Sequence, residues 1–255
     1  MISRPATSWS VGRAALIAGA ALLLMAVVAG LAKFVALDGL ITPGDAARTA
    51  TDIIGSADTF RFGTLGLILV IVLDVIVACA LYRVFSAVNS SISLLAAGFR
   101  LVFAAVFLAA VGRLVGAARL LDGDATLSVF TPAQLHALAS VEITAFDDLW
   151  TVALGLFGVH LLLVGYLVFR SGYAPRLLGI LLAVAGLGYM IDGVGTVLST
   201  RPWTSIGAFT FVGELWLALW LVIRGPRIVI DLPIPTADQD SATTTTTKEA
   251  RHELT

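Results

Sequence analysis

Long apolar runs recur along this chain, and they leave few folds open to it. Ala14–Ala32 carries no charged residue, and similar stretches with few charges follow at 62–82, 92–115, 149–169, 177–198 and 203–223. About twenty apolar residues cross a bilayer as a helix. Hydrocarbon admits only helices or closed barrels, because every backbone polar group must be satisfied within the protein. None of these runs alternates with period two, so they are read as helices. The expectation is an all-α bundle of six transmembrane helices, the first over 14–36. It fills residues 14–224, between a short cytoplasmic segment 1–13 and a cytoplasmic tail 225–255. Of 255 residues, 58% are hydrophobic and only 13% charged, against about 25% charged in soluble domains.

The first run raises the question of a signal peptide, since Arg13 precedes it and Gly30-Leu31-Ala32 ends it in small residues. Its uncharged length exceeds the usual h-region of about 7–15 residues, so it is read as a retained span. The third run is the least clean: Arg100 and Arg113 leave only Leu101–Gly112 uncharged between them, so neighbours must shield part of it.

Arginine placement sets the expected orientation. With the N-terminus inside, Arg4, Arg13, Arg83, Arg170, Arg176, Arg224 and Arg227 are cytoplasmic. Arg48, Arg61, Arg119 and Arg201 then lie outside, diluted by many acids. Both termini are therefore expected in the cytoplasm. Trp150 and Trp203 fall at the outer interface, and Trp9, Tyr82 and Tyr173 at the inner one. Two outer loops carry helix starts. Thr42-Pro43-Gly44-Asp45 places Pro and an acid near a helix N-terminus, and Thr131-Pro132-Ala133-Gln134 has capping-box spacing. The second helix is expected to run on toward the fourth span. Beyond Arg224, Pro226, Pro233 and Pro235 and the Thr243–Thr247 tract predict a disordered tail over 231–255.

The candidate site is the set of ionisable residues inside the spans: Asp74, Arg100, His160, Asp192 and Glu214. Charge at the bilayer centre is costly, so such residues normally face a bundle interior or a wet cavity. At about 1.5 Å per residue, Asp74, Arg100, His160 and Glu214 fall about 12–15 Å from the inner end of their spans and share one layer, while Asp192 lies higher at about 23 Å. Asp74 is expected to pair with Arg100, since their helices are joined by a short loop and the guanidinium fork suits a carboxylate. Glu214 and His160 are expected to form a second pair able to share a proton. Arg113 is the nearest partner to suggest for Asp192. Two readings follow: a permease-like or ligand-binding protein handling a small polar solute or protons, or a scaffold or regulatory protein whose charges fix helix packing.

Other chemistries find little support. No two candidate ligands share a helix at metal-ligand spacing, and no nucleophile has a neighbouring base. Lys33 and Lys248, the only lysines, sit outside the middle of any span, which argues against a retinal Schiff base. A net charge of −1 offers nothing to nucleic acid. No cofactor, metal, nucleic-acid partner or catalytic residue is assigned; the bilayer itself is the expected partner. The single cysteine, Cys79, is read as a small buried hydrophobe. Gly179, Ala183 and Gly186 on the fifth span, with Gly155, Gly158 and Gly165 on the fourth, are read as a close-packing surface pointing away from His160.

Several segments carry a resemblance. They are Gly155-Leu-Phe-Gly158-Val-His160, Gly165-Tyr166-Leu-Val-Phe-Arg170-Ser-Gly172, Pro175-Arg176-Leu-Leu-Gly179 and Ala185-Gly186-Leu-Gly188-Tyr189-Met-Ile-Asp192. Phe99-Arg100-Leu101, Gly213-Glu214-Leu215-Trp216 and Pro43-Gly44-Asp45-Ala46 fit as well. Over roughly 10–225 the chain resembles domain-of-unknown-function family 4386, a group of bacterial integral membrane proteins. The resemblance implies a bacterial inner membrane and brings no activity, cofactor or catalytic residue.

Overall fold

A computed structural model describes residues 10–123, 127–199 and 211–228. They form helices α1 (Val11–Gly30), α2 (Ala46–Gly55), α3 (Ala57–Phe85), α4 (Ser90–Leu121), α5 (Pro132–Ser171), α6 (Arg176–Leu198) and α7 (Val212–Ile223). The chain leaves α1 through a π-helical segment, Leu31–Leu37, and a short 3-10 turn, Asp38–Leu40. Five units are long and apolar enough to cross a membrane: Val11–Leu40, α3, α4, α5 and α6. The sixth expected span is described only as α7, which at 12 residues rises about 18 Å. The first part of 203–223, Trp203, Trp9 and the tail 231–255 with its threonine tract lie outside the described residues.

Local chemistry sets the helix boundaries. The Ser10 hydroxyl accepts from Arg13 N, Asp45 from Arg48 N, and Asn89 from Ile92 N, each satisfying a donor that the first helical turn leaves open. Asp45 is therefore the cap of α2, and Pro43-Gly44 forms the turn before it. Thr131 and Gln134 make the expected capping box, and the helix they start is continuous with the fourth span. At 40 residues α5 is about 60 Å long, about twice the hydrocarbon thickness, and it also packs on α2. It ends at Gly172, whose φ of 74° is a left-handed conformation that glycine adopts without Cβ strain.

α5 packs most extensively on α6 and then on α4, while α1 lies between α3 and α7. The α5–α6 crossing is glycine against glycine. A Cβ on Gly165 would stand 2.6 Å from the Gly179 carbonyl oxygen, and Gly158 meets Gly186 in the same way. Small residues here let two backbones touch, which is how helices gain dispersion contacts in lipid, where the solvent gives no hydrophobic drive. Outward faces stay apolar, as with Ile180, Val184, Leu187 and Ile191 on α6. Cys79 belongs to such a face: it is exposed rather than buried. Its place on α3 alongside Val72, Val75 and Ile76 puts it toward lipid, where a thiol costs little.

Candidate functional site

The interior at mid-depth holds a polar layer to which six helices contribute. Arg100 on α4 is its centre. Its Nη2 lies 2.6 Å from Asp74 Oδ1 on α3, the pairing that the short α3–α4 connection predicts. Nη1 donates to His160 Nε2 on α5 at 3.2 Å, and Nη2 also approaches Met25 Sδ on α1 at 3.9 Å. The guanidinium carbon sits 5.1 Å from the Phe157 ring centroid, within cation–π range. Asp74, Arg100 and His160 are 1%, 2% and 1% exposed, so the Arg100 cluster is closed to solvent and lipid alike.

The second half of the layer lies between α6 and α7. The Tyr189 hydroxyl donates to Glu214 Oε1 at 2.9 Å. The Tyr189 ring lies 6.0 Å from Phe157 and so joins the two halves. Glu214 stands within electrostatic reach of both Arg100 and Asp74, and is itself only half-buried. Asp192, one turn beyond Tyr189 on α6, is buried and within electrostatic reach of the same phenol.

His160 is not paired with Glu214 as the sequence led us to expect. Its Nδ1 donates to the Ala96 carbonyl at 2.8 Å, and its Nε2 receives the Arg100 proton. An imidazole with a donor on one nitrogen and a lone pair on the other is neutral. Among the described residues, the layer thus sets the Arg100 guanidinium against the carboxyls of Asp74 and Glu214, with the buried Asp192 one turn beyond Tyr189. It is also incompletely bonded. Arg100 Nη2 and Asp74 Oδ1 stand 2.6 Å apart as an ion pair, while Asp74 Oδ2 and Arg100 Nε have no hydrogen-bond partner among the described residues. Buried polar atoms are nearly always bonded, because an orphan costs about 1–3 kcal/mol.

Arg113 does not reach Asp192; it pairs with Glu142 at 3.4 Å. The cause is the length of α5, which carries Glu142 alongside the C-terminal half of α4. A second cluster forms beside α5. Lys33, in the π-helical segment, donates to Asp38 at 2.6 Å and to Asp147 at 3.0 Å. Its ammonium also lies 5.6 Å and 5.7 Å from the Phe146 and Trp150 rings. Two clefts of about 240 and about 180 Å³ open near α2 and the start of α5; no residue of the polar layer lines either one.

Sequence reasoning missed Tyr189, Phe157 and Met25 as members of the layer. Tyr189 had a signal, being three residues from Asp192 and so on the same helical face. Phe157 had the same relation to His160. Nothing marked Met25, which is one apolar residue among many on α1.

The comparisons with known proteins place the chain in a family and add no activity. The chain is 35% identical over 167 residues to an uncharacterised protein of Archaeoglobus fulgidus, an alignment covering 66% of this chain and 86% of that relative. No solved structure matches. A family model, described as a domain of unknown function, matches residues 17–225. That match spans most of the chain and includes every residue of the polar layer, so the chain belongs to domain-of-unknown-function family 4386.

Proposed function

We propose that this is a permease-like or ligand-binding membrane protein whose mid-depth layer takes up a proton together with, or in exchange for, a small polar solute. The charge count of the layer carries this reading. Among the described residues, Arg100 can neutralise one carboxylate at this depth, and Asp74 and Glu214 supply two. A buried carboxylate without a counter-charge costs several kcal/mol, so the stable layer needs a proton or a cation in addition to Arg100. Glu214 is the more exposed of the two carboxyls and is therefore taken as the loading position. Asp74 and Arg100 form the orienting ion pair, and neutral His160 holds the guanidinium in place through its lone pair. The arginine distribution supports a cytoplasmic membrane with both termini inside, which for this chain means Lys33 and α2 on the outer side.

A second reading keeps the layer purely structural, as the polar key that fixes which helix faces which. The near-complete burial of Asp74, Arg100 and His160 favours it. The two readings part in liposomes. In the first, reconstituted protein carries a pH-driven flux that Glu214→Gln abolishes while the helical bundle stays folded. In the second, no flux exists and Glu214→Gln changes stability alone.

A further inference from the structure

The layer contains a template for what it binds. Arg100 is a planar cation held by a carboxylate at 2.6 Å, an aromatic face at 5.1 Å and a thioether at 3.9 Å. Those are the elements that stabilise a delocalised cation away from water. The α6–α7 half offers two of the three, a carboxylate and aromatic faces, shares the Phe157 ring with Arg100, and has no cation of its own among the described residues. Glu214 supplies the carboxylate, and the Tyr189 and Phe157 rings, 6.0 Å apart, supply aromatic faces.

We propose that Glu214, Tyr189 and Phe157 form a site for a small monovalent organic cation of the guanidinium or alkylammonium class, and that this cation and a proton compete for Glu214. This rests on the reading of the layer as a proton site. An anion would meet two carboxyls, and a neutral solute would leave their charge uncompensated. Among the described residues no trio of His, Cys, Asp and Glu side chains converges as metal ligands. The groups that face Glu214 are Tyr189 and Asp192 from α6, Arg100 from α4 and Asp74 from α3. α1, which also packs on α7, carries Arg13 near its start, is followed by Lys33 in the π-helical segment, and brings no described ionisable group to this depth. Occupation by either partner neutralises Glu214, and occupation by both is excluded by charge, so loading a cation expels the proton.

The test uses purified full-length protein in weakly buffered detergent solution near neutral pH. Tetramethylammonium chloride and guanidinium chloride are the probes, sodium chloride is the control, and a pH-sensitive dye reads proton release. Up to one proton released per bound organic cation is expected, approaching one where Glu214 is fully protonated, with apparent affinity falling about tenfold per unit decrease in pH in that range. Glu214→Gln is expected to abolish the release. Tyr189→Phe keeps the ring and shifts the pH dependence, while Phe157→Leu weakens binding about tenfold, converted at about 1.4 kcal/mol per decade. Release equal to that with sodium, binding independent of pH, or binding unchanged in Glu214→Gln overturns the inference. Glu214-dependent proton flux in liposomes without cation-driven release also overturns the cation and leaves the proton site standing. Absence of both overturns the two together.

Discussion

Gly165→Ala puts a single methyl into the tightest kind of contact in the bundle. The new Cβ would stand 2.6 Å from Gly179 O and 3.1 Å from Ala183 N. Both are backbone atoms, which cannot swing aside as a side-chain tip can. Ordinary contact begins near 3.4 Å, so α5 and α6 must part locally by roughly 0.8 Å. A gap of about 0.5–1 Å forfeits a quarter to a half of each dispersion well of about 0.1–0.2 kcal/mol. Over roughly fifty atom pairs at the crossing, that is about 2–4 kcal/mol. The gain in helix propensity from Gly to Ala returns up to about 1 kcal/mol. The net expectation is about 1–3 kcal/mol of destabilisation, read from unfolding of the purified protein in mixed micelles. Gly112→Ala is the control, because Gly112 is exposed on α4 with nothing within 4 Å of the added Cβ; it should be neutral or slightly stabilising. Equal effects of the two variants would refute the claim that backbone contact at the glycines sets this helix pair.

Three further outcomes are expected. Asp74→Asn leaves the Arg100 charge buried without its counter-ion and should cost about 3–5 kcal/mol; the double change Asp74→Leu with Arg100→Met should unfold closer to wild type in the same assay, because no charge is stranded. Lys33→Met removes an ammonium shared by Asp38 and Asp147, which are 39% and 47% exposed. It should lower stability by no more than about 1 kcal/mol, an effect that shrinks in high salt when measured by thermal unfolding. Burial pushes the Tyr173 phenol up, in the loop between α5 and α6 where its hydroxyl donates to Val84 O. A raised folded-state value means its contribution is intact below the unfolded value of about 10 and declines as pH rises above it. Alkaline titration of stability should therefore show a loss above about pH 10 that Tyr173→Phe reduces.

Chain-local features of the fold were legible in the sequence. Uncharged runs gave the long helices, the Thr131–Gln134 spacing gave the start of α5, and the short loop after Phe85 gave the Asp74–Arg100 encounter. Rotation about each helix axis was not legible, because apolar residues surround most of each helix in lipid and no amphipathic stripe fixes its facing. That freedom turns His160 toward Arg100 and leaves Tyr189 to hold Glu214. The continuity of α5 from Thr131 into the fourth span was legible from its cap, but its facing was not, and that hid the Arg113–Glu142 pair. The π-helical segment around Lys33 has no sequence signature; its lysine is explained only when Asp38 and Asp147 are seen beside it.

The central claim is that the layer must load a proton or cation because one arginine faces two carboxyls. The most direct test is proton uptake by reconstituted protein under an imposed pH gradient, comparing wild type with Glu214→Gln. Flux in the wild type, lost in Glu214→Gln although its unfolding profile is retained, is the predicted result. Absence of flux in both, or equal flux in both, would contradict it.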